Sequence, residues 1–160
     1  MQEPQHDVTL RFLAAPSDVN FFGNAHGGMV MRWIDEAAYT CAVGWCGRDS
    51  VTVYVGGIRF YKPVHIGDLV EVRARLIYTG QTSMHIAVDV RAGDPRQSER
   101  KHTTHCVIVY VALDADGNPS PVAGWIPHTQ EEFALQEYAV KLMDLRKGIE
   151  EEMRPYIDRD

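Results

Sequence analysis

The sequence predicts an α+β fold: an antiparallel sheet of about five strands wrapped around one long central helix, with a further helix at the C-terminus. Three observations predict it. Residues 29–45 repeat apolar side chains at spacings of three and four, with no Gly or Pro before Gly44. Four strand-like runs follow, each closed by a turn signal. A second helical pattern begins after Thr129. One long helix followed by a meander of strands is an α+β order, and a curved sheet around that helix explains why both are so apolar.

Taken in order, residues 7–15 read as a strand, with Val8, Leu10 and Phe12 alternating against Thr9 and Arg11. Pro16, Ser17 and Asp18 make a turn, and residues 19–28, rich in Asn and Gly, form a shaped loop. In the long helix, Val30, Trp33, Ile34, Ala37, Ala38, Cys41, Ala42 and Trp45 form the apolar side, and Gly44 and Gly47 help end it. Residues 50–61 read as one strand, broken at Pro63. Residues 69–78, 81–90 and 100–113 read as three more, separated by turns at Thr79-Gly80 and around Gly93-Asp94-Pro95. Residues 130–146 form the second helix, its start marked by Thr129 and Glu132 as a capping box, and the charged last dozen residues are expected to fray. The division is therefore a domain over 1–128 and a C-terminal helix with charged tail over 129–160. A sheet of this kind leaves edges that an edge-to-edge homodimer pairs.

The chain has 160 residues, 45% hydrophobic and 24% charged, which suits one globular domain with a proper core. No apolar run approaches the roughly 20 residues that span a bilayer, so no membrane partner is expected. The first seven residues carry Glu3, His6 and Asp7 and no apolar core, unlike a secretory signal, which leaves the cytoplasm as the expected compartment. Three cysteines, Cys41, Cys46 and Cys106, are too few and too irregularly spaced for a disulfide framework or zinc knuckle. The net charge of −6 argues against a nucleic-acid partner. Residues 130–160 hold −4 of it, so the body of the chain is nearly balanced and an anionic ligand there needs local bases.

The block Gly23-Asn24-x-His26-Gly27-Gly28, followed by Trp33-x-Asp35-Glu36-Ala37, resembles the acyl-CoA hydrolase branch of the hotdog thioesterases. This is the group of the bacterial acyl-CoA thioester hydrolases and the brain-type cytosolic acyl-CoA hydrolases. Further matches are Val51-Thr52-Val53, Ile58-Arg59-Phe60, the run from Pro63 through Gly67-Asp68-Leu69-Val70, and Gly80-x-Thr82-Ser83-Met84, so that the resemblance covers about residues 8–113. It implies the hotdog fold and hydrolysis of acyl-CoA to fatty acid and CoA. It also implies a homodimer at minimum, often a trimer of dimers, with active sites shared across the dimer interface. No cofactor is expected, because CoA is part of the substrate.

Thioester hydrolysis needs a polarised carbonyl, an activated water or attacking carboxylate, and a held oxyanion. Gly27 and Gly28 stand at the expected helix start, where free N–H groups and the positive end of the dipole favour an oxyanion. A plain loop-to-helix turn also uses such glycines. Asp35 shares a stripe with Arg32 and Glu36, and from the pattern alone that stripe is a solvated face with Arg32 paired to one of the acids. The resemblance instead puts Asp35 on the family's catalytic acid, acting as general base or nucleophile, and Asn24 on its catalytic asparagine; from composition Asn24 is equally a turn residue. His26 belongs to the same motif and is counted with the substrate-binding residues rather than the catalytic ones. For the CoA moiety the candidates are Arg59 and Lys62 at the end of the second strand, Thr82 and Ser83 at the following turn, and Arg100 at the hairpin tip. The tip's alternative is an ordinary charged hairpin. His102 and His105 are three apart on a strand and so are expected on opposite faces, which leaves no metal site. An enoyl-CoA hydratase or dehydratase on the same fold, leaning on His26, and a non-catalytic acyl-CoA binding protein are the competing readings.

Overall fold

The computed structural model describes residues 4–157; Met1 to Glu3 and the end of the expected charged tail, 158–160, lie outside it. Strand β1 (Asp7–Leu13) is followed by a short 3-10 turn at Pro16–Asp18 and by helix α1 (Gly27–Cys46). Then come β2 (Ser50–Val55), β3 (Arg59–Phe60), β4 (Leu69–Thr79), β5 (Ser83–Gly93), β6 (Lys101–Ala112) and helix α2 (Gln130–Ile157). The strands make one antiparallel sheet in the order β1-β4-β5-β6-β2, with β3 beside β2 along the same edge of β6.

The sheet has six strands because the run expected over 50–61 is broken. Gly56 and Gly57 interrupt it, and the Gly56 N–H donates to the Val107 carbonyl at 2.8 Å. A Cβ on Gly56 would stand 3.1 Å from that carbonyl oxygen, so the chain crosses β6 more closely there than an ordinary residue tolerates.

Period-two alternation sends Val70, Val72, Ala74 and Leu76 of β4 to one face, with Met84, Ile86, Val88 and Val90 of β5 and Cys106, Ile108 and Tyr110 of β6. Helix α1 lies on that face. Its Ala37, Ala38, Cys41 and Ala42 are fully buried, and these small side chains let the helix axis come close to the sheet. Trp33 closes one end against Phe12 of β1, ring centroids 4.9 Å apart. The His26 ring caps the helix start, its Nδ1 accepting from the Met29 N–H at 3.1 Å. Gly47, at φ 67°, caps the end in the left-handed conformation that glycine adopts freely.

Two expectations are corrected. Helix α2 does not stop at 146 but continues to Ile157. Leu, Lys, Arg, Glu and Met are good helix formers, and Arg146 pairs with Glu150 one turn on at 3.6 Å, so the charged stretch propagates the helix instead of fraying it. His102 and His105 do not point to opposite faces. The register between β5 and β6 slips at one place: Val90 faces Thr104 while Arg91 faces His102, leaving Thr103 as the extra residue of a β-bulge. The bulge resets the alternation and turns both histidines to the outer face, beside Asp89.

Candidate active site

Asp35 sits at the third turn of α1, where the helix passes over the β2–β6 pair. Thr52 and Tyr110 are direct cross-strand partners and both face the helix. The Tyr110 hydroxyl donates to Asp35 Oδ1 at 2.5 Å and also lies 3.0 Å from the Asp35 carbonyl; the Thr52 hydroxyl donates to the same Oδ1 at 3.0 Å. Burial, and then the neighbouring Asp35 carboxylate, push the Tyr110 phenol far above its usual range, so it remains a donor across the physiological range. One carboxylate oxygen is thus fixed by two donors. Among the described residues Oδ2 has no hydrogen-bond partner, and the residue is exposed at the rim of the core. Arg32 does not pair with Asp35: its Nε donates to Glu36 at 3.0 Å, on the solvent side.

The loop before α1 is built on its own polar groups. Asn20 Oδ1 accepts from the N–H groups of Phe22 at 2.9 Å and Asn24 at 3.3 Å, and Gly23 turns at φ 79°. The Asn24 side chain meets His65, Oδ1 to Nδ1 2.7 Å, and ties the loop to the segment before β4. Gly27 and Gly28 are the first two residues of α1, positions whose N–H groups have no intrahelical carbonyl to reach. A Cβ at Gly27 would touch the Phe60 ring at 3.4 Å, so this glycine seats the helix start on β3. The loop's own apolar tip, Phe21 and Phe22, is almost wholly exposed, and Val51, Val53 and Val55 on the open edge of β2 are about half exposed.

The candidate CoA residues do not gather in one chain. Arg59 lies over the Tyr61 ring at 5.5 Å, and Lys62 borders a groove with His65, Asp68, Asp94 and Lys101. Thr82 and Ser83 are at the start of β5, and Arg100 is just past its end. With eleven residues in β5, these two places are roughly 30 Å apart at about 3.3 Å per residue. Arg100 is also committed elsewhere: its Nη1 donates to the carbonyls of Gln97 at 2.5 Å and Glu99 at 3.0 Å, pinning the hairpin. Arg96 is held by Asp94 at 2.8 Å, so one base of the tip is neutralised within it.

The fold and this rim can be set beside known proteins. A family model of the thioesterase superfamily matches residues 22–99, which include the loop from Phe22 onward, α1 and the Thr52 strand. The acyl-CoA thioester hydrolase YciA of Salmonella typhimurium is 35% identical over 74% of this chain and 92% of its own. The chain belongs to the thioesterase superfamily. Protein VdlD of Helicobacter pylori is 31% identical over 87% of this chain and 79% of its own. Among solved structures, a hexameric acyl-CoA thioesterase superposes with a TM-score of 0.85 at 32% identity, covering 89% of this chain and 91% of that one. An acyl-CoA hydrolase from Staphylococcus aureus, solved with butyryl coenzyme A, gives 0.87 at 28% identity over 95% and 93%. The hotdog architecture expected from the sequence is therefore the fold. Variants of the S. aureus enzyme in which an asparagine, an aspartate and a threonine are each replaced by alanine have also been solved; the aspartate lies 15 residues after the asparagine and 17 before the threonine.

Sequence reasoning missed Thr52 and Tyr110. A polar residue between Val51 and Val53 was a signal, but its meaning depends on the β2–β6 register, which places Thr52 opposite Tyr110 and under Asp35.

Proposed function

We propose that this chain hydrolyses acyl-CoA thioesters with Asp35 as the reacting carboxylate. The observation that carries this reading is the held carboxylate: Oδ1 fixed by Tyr110 and Thr52, Oδ2 left open at the rim of the helix–sheet core. As general base, Oδ2 takes a proton from water while the water oxygen bonds to the thioester carbonyl carbon. The negative charge on the carbonyl oxygen is received by the N–H groups of Gly27 and Gly28 at the positive end of a second copy's α1, since within one chain seven to eight helical residues put them roughly 10–12 Å from Asp35 at about 1.5 Å per residue. The carbon–sulfur bond then breaks, and the proton passes to the departing thiolate to give free CoA and the acid. Direct attack by Oδ2, forming a mixed anhydride, uses the same residues. In single-turnover hydrolysis in 18O-water, label on Asp35 establishes the anhydride route with water attack at the aspartyl carbon, because general-base hydrolysis cannot place it there.

Spacing supports a different asparagine from the one first expected. Asn20, Asp35 and Thr52 stand 15 and 17 residues apart, as do the three substituted residues of the S. aureus enzyme, whereas Asn24 is four residues off that spacing and is tied to His65. We assign the water- or carbonyl-orienting amide to Asn20 and a loop-bracing role to Asn24. The Phe21–Phe22 tip and the open β2 edge support completion of the site by a second copy, in a homodimer at minimum and a trimer of dimers in the full assembly, in keeping with the hexameric relative. Such an assembly brings Thr82 and Ser83 of one copy toward Arg59 and Lys62 of another around one CoA. The hydratase reading loses support because His26 spends its Nδ1 on the helix cap.

Thiol release from short, medium and long acyl-CoAs tests the proposal. Asp35→Ala is expected to lower turnover by at least about 100-fold. Thr52→Ala is expected to lower it about tenfold, the scale of one hydrogen bond to a charged group. Asn20→Ala is expected to cost more than Asn24→Ala. Wild-type turnover in folded Asp35→Ala sinks the mechanism.

A further inference from the structure

The outer face of the sheet holds a cluster that thioester chemistry does not use. Asp89 of β5 and His102 and His105 of β6 come together there because the Thr103 bulge restores the parity of the two histidines. Asp89 Oδ1 is 2.8 Å from His105 Nδ1 and 2.8 Å from His102 Nε2. One ligand atom from each of the three residues lies within 4.8 Å of the others.

Two details distinguish this cluster from an ordinary hydrogen-bonded trio. The first is His102 Nε2. It is buried and close to the carboxylate, yet its ring direction misses the oxygen, so it makes no hydrogen bond to Asp89 or to any other group. A buried polar atom in that state calls for a partner. The second is the opposite side of the His105 ring, where Nε2 lies 2.8 Å from the Tyr138 hydroxyl of α2. In the metal-free chain His105 Nδ1–H donates to Asp89 Oδ1 and Nε2 accepts from the Tyr138 hydroxyl; an ion that takes the Nδ1 position leaves the ring proton on Nε2, where the Tyr138 oxygen accepts it. Metal-binding histidines are commonly fixed by such a second contact. The carboxylate is divided in the same way: Oδ2 faces Arg75 at 3.5 Å, and Oδ1 faces the two imidazoles. Arg75 is itself met by Glu131 of α2 at 2.9 Å, which offsets its charge beside the cluster.

We propose that Asp89 Oδ1, His102 Nε2 and His105 Nδ1 bind one divalent transition-metal ion of the zinc type. Two imidazole nitrogens and one carboxylate oxygen form a donor set that suits zinc, with coordination left over for water. A tetrahedral ion bonded at about 2.0–2.1 Å holds its donors about 3.3 Å apart, so the two short contacts open by about half an ångström when it enters. Through Tyr138 the ion fastens the first half of α2 to the sheet. The site is on the face opposite Asp35, so it is structural and not part of hydrolysis.

The test is calorimetric titration of chelator-stripped full-length protein with zinc chloride alone, with melting curves in parallel. One zinc per chain, a dissociation constant in the micromolar range or tighter, and a higher melting temperature with zinc are expected. His102→Gln, at a half-exposed position, should weaken binding at least tenfold and abolish the zinc-dependent melting shift. His128→Gln, an exposed histidine outside the cluster, should change neither. Diffraction at the zinc absorption edge should place the ion within bonding distance of all three atoms. No binding, undiminished binding in His102→Gln, or an ion located elsewhere overturns the proposal.

Discussion

The two helices cover opposite faces of one sheet and do so in different ways. Helix α1 buries seven of its 20 residues, four of them Ala or Cys with no exposure at all. Helix α2 runs for 28 residues and buries only Ala139. Its hold on the sheet is a small apolar patch of Ile77, Ala87, Val107 and Ala139, helped by Glu131 on Arg75 and Tyr138 on His105. The difference explains why the carboxylate proposed to react is on α1. A side chain on α1 inherits the position of a close-packed helix, and Asp35 is further held by two hydroxyls. A side chain on α2 has no comparable frame.

The largest effect expected from this contrast is a pH dependence of stability that arises on the α2 side. His85 of β5 is buried on the outer face, edge-on to Tyr78 at 5.0 Å, and lines the cleft beneath α2. Desolvation, and then the nearby Arg146 of α2, lower its pKa from 6.5 to about 4. The folded chain therefore keeps His85 neutral, while the unfolded chain takes up a proton below about 6.5. Stability is unaffected by His85 above that value and falls as pH drops toward 4, by about 3 kcal/mol in total. Urea melts of metal-free protein between pH 7 and 4 should show this slope, and His85→Phe should remove the part due to His85. A slope unchanged in that variant would mean that α2 opens readily enough to hydrate the histidine.

Next in size is an overpacking comparison. Ala38 of α1 and Ala139 of α2 are both fully buried. Ala38 is enclosed between α1 and the sheet, so Ala38→Leu should cost about 1–3 kcal/mol in chemical denaturation. Ala139 borders a cleft of about 240 Å³ with Leu142, Met143 and Val107. Ala139→Leu can grow into that space and should cost less than about 1 kcal/mol. Equal costs at the two sites would show that α2 is packed as rigidly as α1.

The same contrast explains what was legible in the sequence. Helix α1, the order of the strands and the inner face could be read, because burial on one side imposes a period that survives in the residue pattern. Asp35 could be found only through its resemblance to a family motif, since its stripe also contains Arg32 and Glu36. Thr52 and Tyr110 could not be found, because their meeting depends on cross-strand register. The outer-face cluster was hidden for a related reason. His102 and His105 are three positions apart, and only the bulge at Thr103 makes that spacing place them together. The length of α2 was misjudged because a charged stretch was taken for a frayed one, although its residues favour helix.

The smallest expected effect lies beyond residue 144, where α2 exposes Leu145, Ile149 and Met153 at spacings of four. In a single chain Leu145 and Ile149 only border the open cleft beneath α2, so Leu145→Ser should change the free energy of unfolding by no more than about 0.5 kcal/mol. The value of the measurement lies in repeating it across a range of protein concentrations. A small, concentration-independent change means that the apolar stripe is solvated and that α2 is anchored by its first half alone. A loss above about 1 kcal/mol that grows with concentration means that another copy covers the stripe. In that case the loose hold of α2 describes an isolated protomer, and the contrast between the helices narrows on assembly.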